Sequence, residues 1–117
     1  MTLKELYEEI GGDYHDIESR LRKEERIRKF VLLFLKDNSY QNFIQSMENG
    51  NIEEAFRAIH TLKGVCMNLS FHALYQISSK ITEYLRNNQI EQAALALPEF
   101  IECYEKHQAA ITAYANM

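Results

Sequence analysis

The 117-residue chain is 46% apolar and 26% charged with a formal charge of −4, the balance of a single globular domain (1–117) large enough for one buried core. The acidic excess argues against general nucleic-acid binding, which needs basic surface. The longest apolar run, Phe30 to Leu35, is too short to span a bilayer, and MTLKELYEEI places acidic residues where a signal peptide has its apolar stretch, so a cytoplasmic location is expected.

Leu3, Leu6, Tyr7 and Ile10 recur at i, i+3, i+4 and i+7 and predict a short amphipathic helix, ended by Gly11-Gly12. Asp13 is then a candidate N-cap for a second short helix with Tyr14, Ile17 and Leu21 on one face. The charged stretch Arg22 to Arg28 reads as a solvated surface or a joint. Ile27 to Lys36 is apolar nearly all round, which predicts a helix with little exposed face running through the middle of the structure.

Asp37-Asn38-Ser39 interrupts that run, and Tyr40, Phe43, Ile44 and Met47 begin a further helix that Gly50 stops. Asn51, with Glu54 three residues on, reads as a capping box opening a long helix whose core side carries Ile52, Ala55, Ala58, Ile59, Leu62, Val65, Cys66 and Leu69. Ser70 is a candidate cap for the next helix, with Leu74, Ile77, Ser78, Ile81 and Leu85 facing inward until Asn87-Asn88. The last segment starts near Gln89, is kinked or restarted at Pro98, and continues in phase through Phe100, Cys103, Tyr104, His107, Ile111 and Tyr114.

No strand pattern competes. The expected fold is all-α: an antiparallel up-and-down bundle of four longer helices with additional short N-terminal helices, since the short connections force sequential neighbours to run antiparallel. Cys66 and Cys103 read as buried free thiols in a reducing compartment.

One position on the long helix stands apart. At about 100° per residue, His60 lies opposite the core side, with Lys63 and Gly64 at i+3 and i+4 in the same surface patch. Helical side chains lean toward the N-terminus, so residue i+4 normally lies over residue i, and a glycine there leaves the ring uncovered. A mid-helix glycine lowers helix stability by roughly 0.8–1.0 kcal/mol relative to alanine, which a purely structural role explains poorly. HTLKG thus offers a nucleophilic imidazole, an ammonium to balance negative charge and space for a bulky group, as carriage of a phosphoryl group on a histidine requires.

AIHTLKGVCMNLSF resembles the signature of histidine-containing phosphotransfer (HPt) domains, the helical bundles that relay phosphate between receiver domains in multistep two-component signalling. The resemblance implies that Nε2 of His60 attacks the phosphorus of a receiver's aspartyl phosphate and later passes the group to another receiver. The partners it implies are receiver domains of a hybrid histidine kinase, a response regulator, or both, with the receiver bringing the metal ion and most of the catalytic apparatus. Imidazole side chains are mostly neutral near pH 7, so no dedicated base is needed. Lys63 is the candidate for stabilising the phosphoryl oxygens and Gly64 for access.

On the helical wheel Phe56 and Met67 are exposed beside His60 with Arg57 close by, a candidate receiver-docking surface. Members of the family commonly carry Gln or Glu where this chain has Thr82, to hydrogen-bond the histidine ring; Thr82 is the shorter candidate for that contact. The chain also has Val65, Cys66 and Met67 where small residues are frequent, and Ser70 in place of a glycine.

No cofactor is expected, and the chain is read as a phosphocarrier rather than an enzyme, since no phosphate-binding glycine loop supports ATP-dependent kinase activity. Two alternatives stand beside this reading: a non-phosphorylated helical adaptor that binds receivers, and a metal-binding bundle. Against the latter, no histidine has an acidic residue at i−3, and Cys103 with His107 makes at most half a zinc site.

Overall fold

The computed structural model describes all 117 residues and contains eight α-helices and no strand: α1 (Leu3–Ile10), α2 (Tyr14–Leu21), α3 (Glu24–Leu33), α4 (Ser39–Glu48), α5 (Ile52–Leu69), α6 (His72–Arg86), α7 (Ile90–Leu95) and α8 (Leu97–Ala115), with a 3-10 turn over Phe34–Lys36. Local signals set the boundaries. Thr2 and Glu5 form a reciprocal capping box at the start of α1, and Gly11, with φ +72°, closes it in the left-handed region that glycine enters without strain. Asp13 caps α2 through Asp16 N–H, and Asn51 caps α5 through Glu54 N–H. Pro98 falls in the first turn of α8, where its missing N–H has no intrahelical partner, so the chain restarts there after α7.

Helices α4, α5, α6 and α8 form the four-helix core. α5 packs against α4 on one side and α6 on the other, and α6 packs against α8. Aromatic contacts close the ring: Tyr40 stacks on Tyr104 with centroids 3.7 Å apart, and Phe43 meets Phe100 edge-on. The pairing of Tyr40 with Tyr104 and Phe43 with Phe100 runs in opposite directions along α4 and α8, as an up-and-down bundle requires. On α5 the buried residues are Ala55, Ile59, Leu62, Cys66 and Leu69, and on α6 the stripe Leu74, Ile77, Ser78, Ile81 and Leu85 is buried as expected. No helix is long and apolar enough to cross a membrane.

The N-terminal helices dock on one end of this core. α1 packs against α8, and Tyr7 Oη donates to the Leu69 carbonyl at 2.8 Å. Backbone bonds from Asp13 N–H to Ser70 O and from Ala73 N–H to Gly11 O tie the α1–α2 turn to the α5–α6 turn.

Two expectations need correction here. The apolar run is not central: α3 begins at Glu24, packs outside the four-helix core through Ile27 and Val31, and leaves Phe30 and Leu33 at 44% and 47% exposure. The reason is that Arg26 and Lys29 share a face with Phe30 and Leu33 at helical spacing, and unpaired cations hold that face to water. Ser70 does not cap α6. It closes α5 at φ +57°, and its hydroxyl turns instead to Asp16, with Phe71 preceding α6.

Candidate functional site

His60 is exposed on the outer side of α5, with Ile59 fully buried beside it in sequence. Gly64 sits one turn on, and a Cβ built there meets nothing within 4 Å, so the surface one turn beyond the exposed His60 is open. Lys63 is half-buried on the same helix. The ion pairs join Arg20 to Asp16, Arg57 to Glu53 and Glu54, and Arg86 to Glu83, leaving the Lys63 ammonium without a carboxylate partner. The helix thus brings together an accessible imidazole, an uncommitted cation at i+3 and a gap at i+4.

The flanks differ in part from the helical-wheel reading. Met67 stands free at 57% exposure. Phe56 does not: it is half-buried, its ring stacks on His60 with centroids 5.9 Å apart and planes 15° apart, and the Arg86 guanidinium lies 5.1 Å from its centroid. The wheel considers α5 alone, whereas α6 returns antiparallel and lays its last residue over the ring. No local sequence signal marks Arg86, although the short turn after Leu69 sets a register that brings the end of α6 to the level of Phe56. Arg57 is exposed, and its charge is shared with Glu53 and Glu54.

Thr82 does not orient the imidazole. Its side chain is fully buried, and Oγ1 donates to the Ser78 carbonyl at 2.7 Å, one turn back on α6. A hydroxyl this short reaches its own helix backbone more readily than a ring on the outer side of the neighbouring helix.

Neither cysteine adds reactivity. Burial pushes the Cys66 thiol well above the ordinary range, and burial raises Cys103 as well, so neither supplies a thiolate near neutral pH. His107 is fully buried on α8, with Nδ1 2.8 Å from the Cys103 carbonyl. Its pairing with Cys103 is an internal helix contact.

A four-helix bundle carrying one exposed histidine beside a lysine and an open glycine defines the class of phosphocarrier bundles. Residues 3–110 match the family model of the Hpt domain, and the chain belongs to that family. Neither the curated proteins nor the solved structures yield a match. Hpt domains are phosphocarriers that serve histidine phosphotransfer in two-component phosphorelays, and they interact with receiver domains.

Proposed function

We propose that His60 is the phosphoryl-carrying residue of this domain, accepting the group from a receiver aspartate and passing it to another receiver. The observation that carries this reading is the open space beside an exposed imidazole, where Gly64 stands in place of a side chain that would cover it. In the forward step the Nε2 lone pair attacks phosphorus. The P–N bond forms as the acyl phosphate P–O bond breaks, and the receiver's carboxylate leaves with the electron pair while Nδ1 keeps its proton. The return step reverses these changes on a second receiver.

Lys63 supplies positive charge to the phosphoryl oxygens. Its lack of a carboxylate partner supports that role, because the charge is not already neutralised. Met67 contributes apolar surface to docking, and Arg57 a charge at its edge. Phe56 fixes the imidazole plane rather than serving as a free docking contact.

The test is incubation with phosphorylated receiver domains encoded in the same genome. Acid-labile, alkali-stable phosphate on the wild type and none on His60→Gln is expected. Labelling that persists in His60→Gln assigns the carrier elsewhere and ends this reading.

A further inference from the structure

We infer that Arg86 is a positioning residue for the phosphoryl acceptor: its guanidinium, held at the end of α6, steadies the Phe56 ring and, through that ring, the plane of the His60 imidazole. The inference rests on the phosphotransfer reading above.

Hydrogen bonds do not supply that orientation. On the neighbouring turns of α5, Arg57 is paired with Glu53 and Glu54 and Thr61 Oγ1 donates to the Arg57 carbonyl, while on α6 Thr82 is turned to the Ser78 carbonyl. The contact that orients the imidazole is the stack on Phe56, with centroids 5.9 Å apart and planes 15° apart. A stack fixes a ring only as firmly as its partner is fixed.

Phe56 is half-buried, so packing within α5 alone leaves its side chain more than one staggered rotamer. Arg86 removes that freedom from the side of α6. Its Cζ lies 5.1 Å from the Phe56 centroid, within the roughly 6 Å over which a cation is drawn to the electron-rich face of an aromatic ring.

The guanidinium is itself held. Arg86 Nε donates to Glu83 Oε2 at 3.1 Å, and Arg86 is the last residue of α6, where the carbonyl end of the helix favours a cation. Leu85 beside it is buried, and Gln89 N–H donates to the Tyr84 carbonyl at 2.8 Å, which closes the backbone that carries Arg86. Glu83, Arg86, Phe56 and His60 therefore form one series of contacts from α6 to the imidazole.

The series bears on rate through orientation. Attack needs the nitrogen lone pair aimed at phosphorus, and a fixed ring plane removes orientations in which it is not. Arg86 acts here before the donor arrives, so its loss should lower kcat and leave KM unchanged. An exposed cation–aromatic contact of this kind corresponds to about two- to fivefold in rate.

A cation near the imidazole could instead touch the phosphoryl oxygens directly, and a double-mutant cycle separates the two roles. If Arg86 works through Phe56, replacing it has no further effect once Phe56 is leucine. If it touches the phosphoryl group, the two losses multiply.

The experiment compares wild type, Arg86→Gln, Phe56→Leu and the double variant, with phosphoramidate as a donor too small to need a docking surface and with a phosphorylated receiver. Proton NMR of the unphosphorylated proteins follows the ring-current displacement of the His60 Hδ2 and Hε1 signals, which a purely structural role for Arg86 would not move. Arg86→Gln should lower kcat by about threefold with both donors and shrink the ring-current displacement. The double variant should match Phe56→Leu in both measurements.

Wild-type kcat and unmoved His60 signals in Arg86→Gln would overturn the inference. So would losses that multiply in the double variant, which assign Arg86 to the phosphoryl oxygens, or a loss confined to the receiver reaction, which makes it a docking contact. If the wild type takes phosphate from neither donor, the phosphotransfer reading fails and this inference with it.

Discussion

The ring of Phe56 lies against the imidazole of His60 one helical turn away, with planes 15° apart, and takes the Arg86 guanidinium as well. A ring held in this way restricts the rotation of its partner, so Phe56 sets the direction in which the His60 ring nitrogens point, and on the proposed function that is the direction of attack. Phe56→Leu keeps apolar bulk and loses the stack. It is expected to slow phosphorylation several-fold with phosphoramidate as well as with a receiver. A loss confined to the receiver reaction would make Phe56 a docking contact instead.

Gly64 separates stability from function. A Cβ there meets nothing within 4 Å, so Gly64→Ala should gain roughly 0.8–1.0 kcal/mol of helix propensity and raise Tm by about 4 °C. Alanine adds only that Cβ and should leave phosphotransfer close to wild type, whereas the longer side chain of Gly64→Leu should block it with helicity intact. Thermal melts and transfer assays on the two variants check this, and undiminished transfer in Gly64→Leu would remove access as the reason for the glycine.

Ser70 holds a left-handed backbone conformation at φ +57°, which costs a non-glycine residue roughly 1–2 kcal/mol. Its hydroxyl donates to Asp16 and accepts from Arg20, and the bond from Ser70, with Arg20 after it, holds the Asp16 carboxyl below the ordinary range. Ser70→Ala keeps the strain and loses the bonds, whereas Ser70→Gly loses both, so alanine should be the less stable by about 1 kcal/mol. In Ser70→Ala the Asp16 carboxyl should titrate at higher pH, as followed by NMR. The stability that this lowered value supplies is present above the unfolded value and is lost as pH falls through the folded one.

How far the sequence reaches is visible in these same residues. Helix ends were legible where a local device makes them: Gly11, Asp13, Asn51 and Asn87 all act at element boundaries. The phase of α5, which separates Ile59 from His60, follows from period alone. Ser70 was not legible, because a serine between two helices can serve either one and its partners lie fifty or more residues away in sequence. Phe30 and Leu33 were hidden inside an apolar run whose inward face is set by which helices form the core. Phe56 and Thr82 depend on the register of α6 against α5, and a single-helix projection carries no register.

His107 gives the domain an acid-sensitive core. Its Nδ1 lies 2.8 Å from the Cys103 carbonyl, its Nε2 is buried with no partner, and the ring meets the Phe71 ring at 5.4 Å. A second proton on Nε2 would be a buried charge without an acceptor, so burial pushes the His107 pKa down. The unfolded chain, with an ordinary imidazole near 6.5, then binds protons more tightly than the folded one. Unfolding free energy therefore rises with pH between the lowered folded value and about 6.5, by at most about 1.4 kcal/mol per unit, and is lost as pH falls through that window. His107→Phe keeps a ring against Phe71 and removes the titration. Denaturant unfolding from neutral pH down to about 5 should show a shallower loss of stability for the variant, and parallel curves would mean that another group carries the acid response.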